Sequence, residues 1–205
     1  MKQLLLKIGP VLVVFFAVMP AASGATLEDA ISAFNAKEYK KAHGLFQSIV
    51  KAGSVKHTGN VIGGATYYIG KLYLEGWGVD KDYKKSFKWF SLSAAEKNAK
   101  AQYGLALMYA NGKGVSRDDK EAVKWFRKAS DQGYVKAHFA LALMYANGEG
   151  VPKDDKEAVK WYRKAADQGY VKAQYGLALM YANGKGVSRD DKEAVKWFRK
   201  AADQG

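Results

Sequence analysis

The sequence contains no cysteine, and only three prolines and three histidines stand among its 205 residues. Without cysteine the chain can form no disulfide bond and can carry no lipid on an N-terminal cysteine, so its fold must be held by packing alone. The histidines are His43, His57 and His138, and no two of them stand at the spacing that puts two metal ligands on one helix. The sequence therefore predicts neither a disulfide scaffold nor a histidine metal site.

Residues 1–25 have the layout of a secretory signal peptide. Lys2 and Lys7 precede an apolar run, which is followed by Pro20 and small residues up to Ala25. An apolar stretch of about 15 residues is short for a membrane span, which needs about 20. We therefore favour cleavage after Ala25 over an uncleaved membrane anchor, and we expect a periplasmic or secreted protein.

The chain is basic, with 33 Lys and Arg against 20 Asp and Glu and a formal net charge of +13. A basic chain raises nucleic acid as a candidate partner. Export argues against that partner, and the charges are spread along helices instead of being interleaved with aromatic residues. We therefore expect no nucleic acid, and we interpret the charges as a solvated outer face or, alternatively, as a weak attraction to anionic envelope polymers or lipid headgroups.

One stretch of the chain repeats. Residues 101–136 return at 137–172 and again at 173–205, and residues 65–100 form a diverged copy in the same frame without a gap. The first and third of the close copies differ only at Ser130 and Ala202 over their common length. A period of 36 residues, the interval from Ala101 to Ala137, predicts stacked two-helix units.

The first helix of each copy is apolar nearly all round. At 100° per residue, Ala101 and Leu105 lie on one face while Tyr103 and Leu107 lie on the other. Such a helix must be covered on more than one side, so we expect it to lie between the second helix of its own unit and that of the preceding unit. The glycines that follow Asn111 are expected to end it in the left-handed conformation.

The second helix is amphipathic and is predicted to start at Asp118. The Asp118 carboxylate can cap free backbone N–H groups, and Glu121 can reach back to complete a capping box. Its buried face includes one tryptophan per unit: Trp89, Trp125, Trp161 and Trp197. We expect the interior tryptophans to contribute more stability than Trp197, because a stacked array is stabilised by contacts between neighbours.

These residues resemble the Sel-one-like repeat (SLR), a relative of the tetratricopeptide repeat. The pattern covers residues 65–205 and consists of Ala101, Leu105, Tyr109, Gly112-Lys113-Gly114-Val115, Asp118, Ala122, Trp125-Phe126, Ala129 and Gly133, with their equivalents. The resemblance implies an all-α, right-handed solenoid of four units (65–100, 101–136, 137–172 and 173–205), with first helices on the concave side. It also implies adaptor or scaffold work in protein complexes.

Residues 26–64 are predicted to form a helical pair, a degenerate repeat that caps the array, followed by a spacer. Ala30, Phe34, Ala42 and Phe46 recur there at helical spacing. The segment from Ser54 to Gly64 is interpreted as a surface loop or as the lead-in turn of the next helix.

Catalytic motifs are nearly absent. Ser48-Ile49-Val50-Lys51 matches the Ser-x-x-Lys pattern of penicillin-recognising enzymes, and His57-Thr58-Gly59 faintly resembles their Lys-Thr-Gly element. We interpret both as chance matches and expect no enzyme and no cofactor. An envelope-acting serine hydrolase of the penicillin-recognising type is the alternative hypothesis.

The leading hypothesis is a scaffold that binds a protein or peptide on the concave surface. The candidate contact residues are Tyr67, Trp77, Tyr103, Leu107, Phe139, Leu143, Tyr175 and Leu179. Exposed, they would form an apolar interaction strip; alternatively, the sandwiched helices bury them as core. A further expectation concerns the last unit, where Val195, Phe198 and Ala202 lack a following unit, which is compatible with self-association or with a longer array.

Overall fold

The structure, a computed structural model, describes residues 24–56 and 59–204. Most of the predicted signal peptide, and His57 of the faint hydrolase motif, lie outside these residues. In the described chain ten helices follow one another without a strand. They are α1 (Leu27–Asn35), α2 (Tyr39–Lys56), α3 (Gly59–Glu75), α4 (Tyr83–Ala95), α5 (Ala99–Asn111), α6 (Asp119–Asp131), α7 (Val135–Asn147), α8 (Asp155–Asp167), α9 (Val171–Asn183) and α10 (Asp191–Ala202).

The predicted α-solenoid is confirmed. Each first helix (α3, α5, α7, α9) contacts the second helix of its own unit (α4, α6, α8, α10) and the second helix that precedes it. This sandwich explains why the first helices are apolar on both faces. The helical pair α1–α2 packs against α3 in the same way, and α2 and α3 occupy most of the segment expected as a spacer.

The helix ends form where the sequence predicts them, with one difference. Gly112 ends α5 in the left-handed conformation with φ of 64°, and Asp118 begins α6 by accepting the backbone N–H of Glu121 at 2.9 Å. The expected return contact from Glu121 is wrong, because its carboxylate instead accepts Lys124 Nζ at 2.5 Å. A complete capping box occurs at α1, between Thr26 and Asp29.

The second glycine of each loop packs closely against the backbone at the start of the second helix of the preceding unit. Gly150 has φ of +68°, and a Cβ built on it would lie 2.2 Å from the backbone oxygen of Asp119, at the start of α6. Gly114 and Gly186 sit in the same way against Tyr83 and Asp155. Only a residue without a side chain allows this approach, so the second glycine of each loop fixes the stacking of neighbouring units.

The tryptophans of the second helices differ in burial and in the clusters that they contact. Trp161 is half-buried against the cluster formed by Ala106, Val123, Phe126 and Leu141, and Trp197 contacts the next cluster and is 5% exposed. Trp161 also packs against the cluster that contains Trp197, and Trp125 packs against the clusters on both of its sides. Trp197 belongs to one cluster but is the more deeply buried side chain, so the order in which the tryptophans contribute to stability stays a prediction.

A buried polar pair links units two and three. His138 Nδ1 lies 2.7 Å from Ser130 Oγ, and the imidazole stacks on Trp161 with ring centroids 5.8 Å apart. In the flanking junctions a glutamine replaces His138 and an alanine replaces Ser130, and the glutamine donates to the alanine carbonyl: Gln102 to Ala94 and Gln174 to Ala166, both at 3.3 Å. Ser130 is the position at which the near-identical copies differ. In these three junctions the position holds serine where the facing residue is histidine and alanine where it is glutamine.

Candidate functional site

The predicted aromatic contact residues are mostly packed between units. Tyr103 is half-buried, with its ring centroid 5.6 Å from that of Phe126 and 5.2 Å from that of Tyr134. Phe139 has the same environment, at 5.9 Å from Tyr162 and 5.2 Å from Tyr170. The tyrosines that precede α7 and α9 therefore each cover the aromatic residue of the preceding unit.

Burial also changes the acidity of these phenols. Loss of hydration on burial raises the pKa of Tyr67 to about 12, and it raises the pKa of Tyr103 to about 12 in the same way. Both side chains stay neutral over the whole physiological range. Burial therefore shields most of each phenol from water, and the two side chains lie beneath the exposed surface.

Tyr175 differs from its equivalents because it is 54% exposed. Its ring contacts Phe198 at 5.4 Å, but no described residue takes the place that Tyr134 and Tyr170 take in the earlier units. Tyr175 and Phe198 line an apolar groove of about 660 Å³ together with Phe139, Val171, Lys172, Ala201 and Ala202. No described helix follows α10 to cover this groove.

The leucines form the exposed part of the predicted strip. Leu107 and Leu143 are each 37% exposed, and Leu179 is 38% exposed. Successive first helices present them at the same position, so they define a row along the array, which we call the leucine row. At the equivalent position in the first unit, Lys71 places its ammonium group over the rings of Phe34 and Trp77, 5.1 and 5.3 Å from the centroids.

Trp77 is half-buried in the N-terminal aromatic cluster. Its ring stacks on Tyr39 with a centroid distance of 5.1 Å and an interplanar angle of 17°, and Phe34 lies at 5.9 Å. The loop that carries Trp77 is thereby fixed on α2. Trp77 lies next to Lys71, at the first-unit end of the leucine row.

A groove of about 390 Å³ separates two members of the row. Leu107, Leu143 and Phe126 are among its apolar lining residues, and Arg117, Asp119 and Glu149 contribute its charged groups. Its remaining lining residues are Ala110, Asn111, Ala140, Met144 and Asn147. We call it the leucine groove.

Two charged side chains of the leucine groove form an ion pair. Arg117 donates to both carboxylate oxygens of Asp119, at 3.0 and 2.8 Å. That hydrogen bonding and the charge of Asp119 raise the pKa of Arg117, and the negative charge of Glu149 adds to the effect. The groove combines an apolar centre with a rim that carries one more negative than positive side chain.

Sequence reasoning missed a basic pair at the first junction. Lys81 and Lys113, from consecutive loops, place their ammonium groups over the ring of Tyr83 at 5.2 and 5.5 Å from its centroid. A signal was present in the repeats: the loop position of Lys113 holds lysine again at Lys185 but glutamate at Glu149. All three side chains are exposed and their contacts lie at the surface, as in the hydrogen bond that Glu149 accepts from Asn147 at 3.5 Å, so no buried contact requires that reversal.

The hydrolase hypothesis gains no support from the geometry. Ser48 is exposed, and its hydroxyl donates to the carbonyl of Gly44 at 2.9 Å. Within residues 24–56 and 59–204 no group of three or more His, Cys, Asp and Glu side chains is placed to hold a metal ion. No helix in the same part of the chain is long and apolar enough to cross a membrane.

Known proteins match the chain over most of its length. The Sel1 repeat family model matches four times, at residues 64–98, 99–134, 135–170 and 171–205. A Sel1 repeat protein from Oxalobacter formigenes is 36% identical with a TM-score of 0.78, and the match covers 87% of this chain and 70% of that one.

A protective antigen present in uropathogenic Escherichia coli strains, which displays an SLR fold, is 32% identical with a TM-score of 0.79. That match covers 87% of this chain but 38% of the antigen. A putative Sel1 repeat protein from Klebsiella pneumoniae is similar in fold, with 20% identity and a TM-score of 0.56. No match was found among curated proteins. The four repeats and the two structures above 30% identity establish that the chain belongs to the Sel1 repeat family.

Proposed function

We propose that the protein is a non-catalytic scaffold, exported to the periplasm or secreted, that binds a protein or peptide segment on the surface built by its first helices. Sel1 repeat proteins generally act as protein-interaction scaffolds. The observation that carries the proposal is the leucine row, in which three equivalent leucines stay more than a third exposed in an otherwise well-packed array. A contiguous exposed apolar row is typical of an interaction site.

The eight predicted contact residues take different parts in this proposal. The leucine row contacts the partner directly. Tyr67, Tyr103 and Phe139 support it from behind, and Trp77 and Tyr175 lie at its two ends. The layout of residues 1–25 supports the proposed export. The basic outer faces of the second helices supply at most a weak attraction to anionic envelope surfaces, without nucleic acid as a partner.

The test is capture of envelope proteins by purified residues 26–205, with chemical crosslinking. The double variant Leu107→Ser and Leu143→Ser removes the centre of the row, whereas Leu92→Ser changes an equally large leucine that is 47% exposed on the second helix α4. We expect the double variant to lose a crosslinked partner that wild type and Leu92→Ser retain. If the double variant retained every crosslinked partner, the binding site would have to lie outside the leucine row.

A further inference from the structure

The loops beside the leucine row carry charges that alternate along the array. Lys113, Glu149 and Lys185 occupy one loop position in three near-identical units, and all three side chains are exposed. Several other differences among these units have packing partners, such as Ser130 with His138, or Gly176, where a Cβ would lie 2.7 Å from Tyr162. The change from lysine to glutamate at Glu149 matches no residue of the core, so it changes the charge of the surface and not the packing.

Each of the first two loop charges is part of a larger charged group. Lys113 converges with Lys81 on the ring of Tyr83, which brings two ammonium groups together at the junction between the first two units. Asp82 is close in sequence but is engaged as the α4 cap, accepting the backbone N–H of Lys85 at 2.9 Å, while Asp80 and Glu75 remain exposed. Glu149 lies on the rim of the leucine groove, whose Arg117 is already bonded to Asp119.

We propose that the first-helix surface selects a polypeptide segment by charge register: acidic residues opposite Lys113 and Lys185, a basic residue opposite Glu149, and apolar residues between them in the leucine row. This inference rests on the proposed function and names the chemistry of its partner. The loops that carry these charges follow first helices that alternate with second helices along the array. Successive charges therefore lie farther apart than the about 8–10 Å between directly packed helices, so they match charges at least about three residues apart in an extended segment, which advances about 3.3 Å per residue.

A polypeptide fits this surface better than a nucleic acid. The leucine row requires apolar side chains, which a nucleic acid backbone lacks. Asp119 and Glu149 at the centre of the row repel a continuous chain of phosphates, whereas a polypeptide can place a cation there. The alternation of sign therefore indicates a partner of mixed charge.

The test uses three short fluorescent peptides with the same leucines: one with acidic ends and a basic centre, one with all charges inverted, and one with glutamine at each charged position. Both charge patterns are symmetric, so the direction of binding does not affect them. Fluorescence anisotropy with the wild type should give about tenfold tighter binding of the acidic-ended peptide than of the inverted one, because exposed ion pairs contribute about 0.2–1 kcal/mol each. The preference should shrink at high salt.

A charge-swapped protein provides the decisive comparison. Lys113→Glu, Glu149→Lys and Lys185→Glu together should reverse the preference, and circular dichroism should show an unchanged helix content because all three positions are exposed. The control carries Lys88→Glu and Lys192→Glu on the exposed faces of the second helices and should keep the wild-type preference.

Three other outcomes would contradict the proposed charge register, and each points to a different explanation. Equal binding of all three peptides that is lost on Leu107→Ser and Leu143→Ser would reject charge register and leave the proposed apolar contact standing. Absence of binding by any peptide rejects the inference, while partner capture from the envelope still tests the proposed function separately. Tighter binding of a single-stranded oligothymidylate than of the acidic-ended peptide would identify a polyanion site in place of the polypeptide site.

Discussion

At the residue scale, the loop glycine Gly150 gives a sharp prediction. Ala at this position meets two penalties: a left-handed backbone, which costs about 1–2 kcal/mol for a residue with a side chain, and a Cβ only 2.2 Å from the Asp119 oxygen. Gly133 has φ of +78° but no atom within 4 Å of its Cβ position, so Gly133→Ala carries the first penalty alone. Urea unfolding should show a clearly larger loss for Gly150→Ala. If the two variants lost the same unfolding free energy, the loop around Gly150 would not pack closely against α6.

The pair Ser130 and His138 gives a second prediction at this scale. Ser130→Ala leaves the buried imidazole without its partner and should cost about 1–2 kcal/mol of unfolding free energy. Adding His138→Gln recreates the alanine and glutamine arrangement of the flanking junctions and should recover most of that loss. A double-mutant cycle measures the coupling. Additive losses from the two changes would show that the contact is incidental.

His138 also predicts a pH dependence. Burial lowers the pKa of His138 below its ordinary value of 6.5, and repulsion by Lys164 adds to this while Asp131 opposes it. The unfolded chain therefore binds a proton more readily than the folded chain, so stability is fully present above about pH 6.5 and decreases as the pH falls below that value. Burial acts on His43 in the same direction. Unfolding at pH 7.5 and pH 5.5 should show a smaller change for His138→Gln than for the wild type, and an unchanged difference would exclude His138 as a cause.

At the element scale, the burial of each tryptophan on its second helix predicts how much stability it contributes. Since Trp197 is 5% exposed against the preceding unit, Trp197→Ala should cost about 3–5 kcal/mol, the usual range for removing a buried tryptophan. Trp125→Ala and Trp161→Ala, at half-buried positions, should cost no more than this. Denaturant unfolding of the three variants makes the comparison, and a much smaller loss at Trp197 would restore the expectation from the sequence.

The helices themselves were predictable because their signals are local. Helical spacing, the Asp118 cap and the glycines after Asn111 determine where elements begin and end, and the 36-residue period determines their order. Contacts between units are less visible in a sequence. Helical spacing shows that Trp125 faces inward but not which neighbour it meets, and nothing local shows that Lys81 and Lys113 share the ring of Tyr83.

At the scale of the whole molecule, the last described unit exposes a face that units two and three bury. Val195 is 47% exposed, whereas the equivalent Val123 and Val159 are 3% and 6% exposed. We predict that purified residues 26–205 self-associate as concentration rises, through the groove lined by Tyr175 and Phe198. Sedimentation should detect this, and a polar helix fused after Gly205 should abolish it. A monomer at all concentrations without the added helix would show that the open face is tolerated.

The buried pair Ser130 and His138 also bears on how such an array can change length when recombination between tandem copies of its gene removes a unit. Loss of residues 137–172 joins Lys136 to Ala173 and brings Gln174 to the carbonyl of Ser130, a contact that any residue at that position can accept. Loss of residues 101–136 joins Lys100 to Ala137 and brings His138 to Ala94, which has no hydroxyl to offer. Units that are nearly identical in sequence are therefore unequally dispensable, and lineages that shorten this array should retain residues 101–136 more often than residues 137–172.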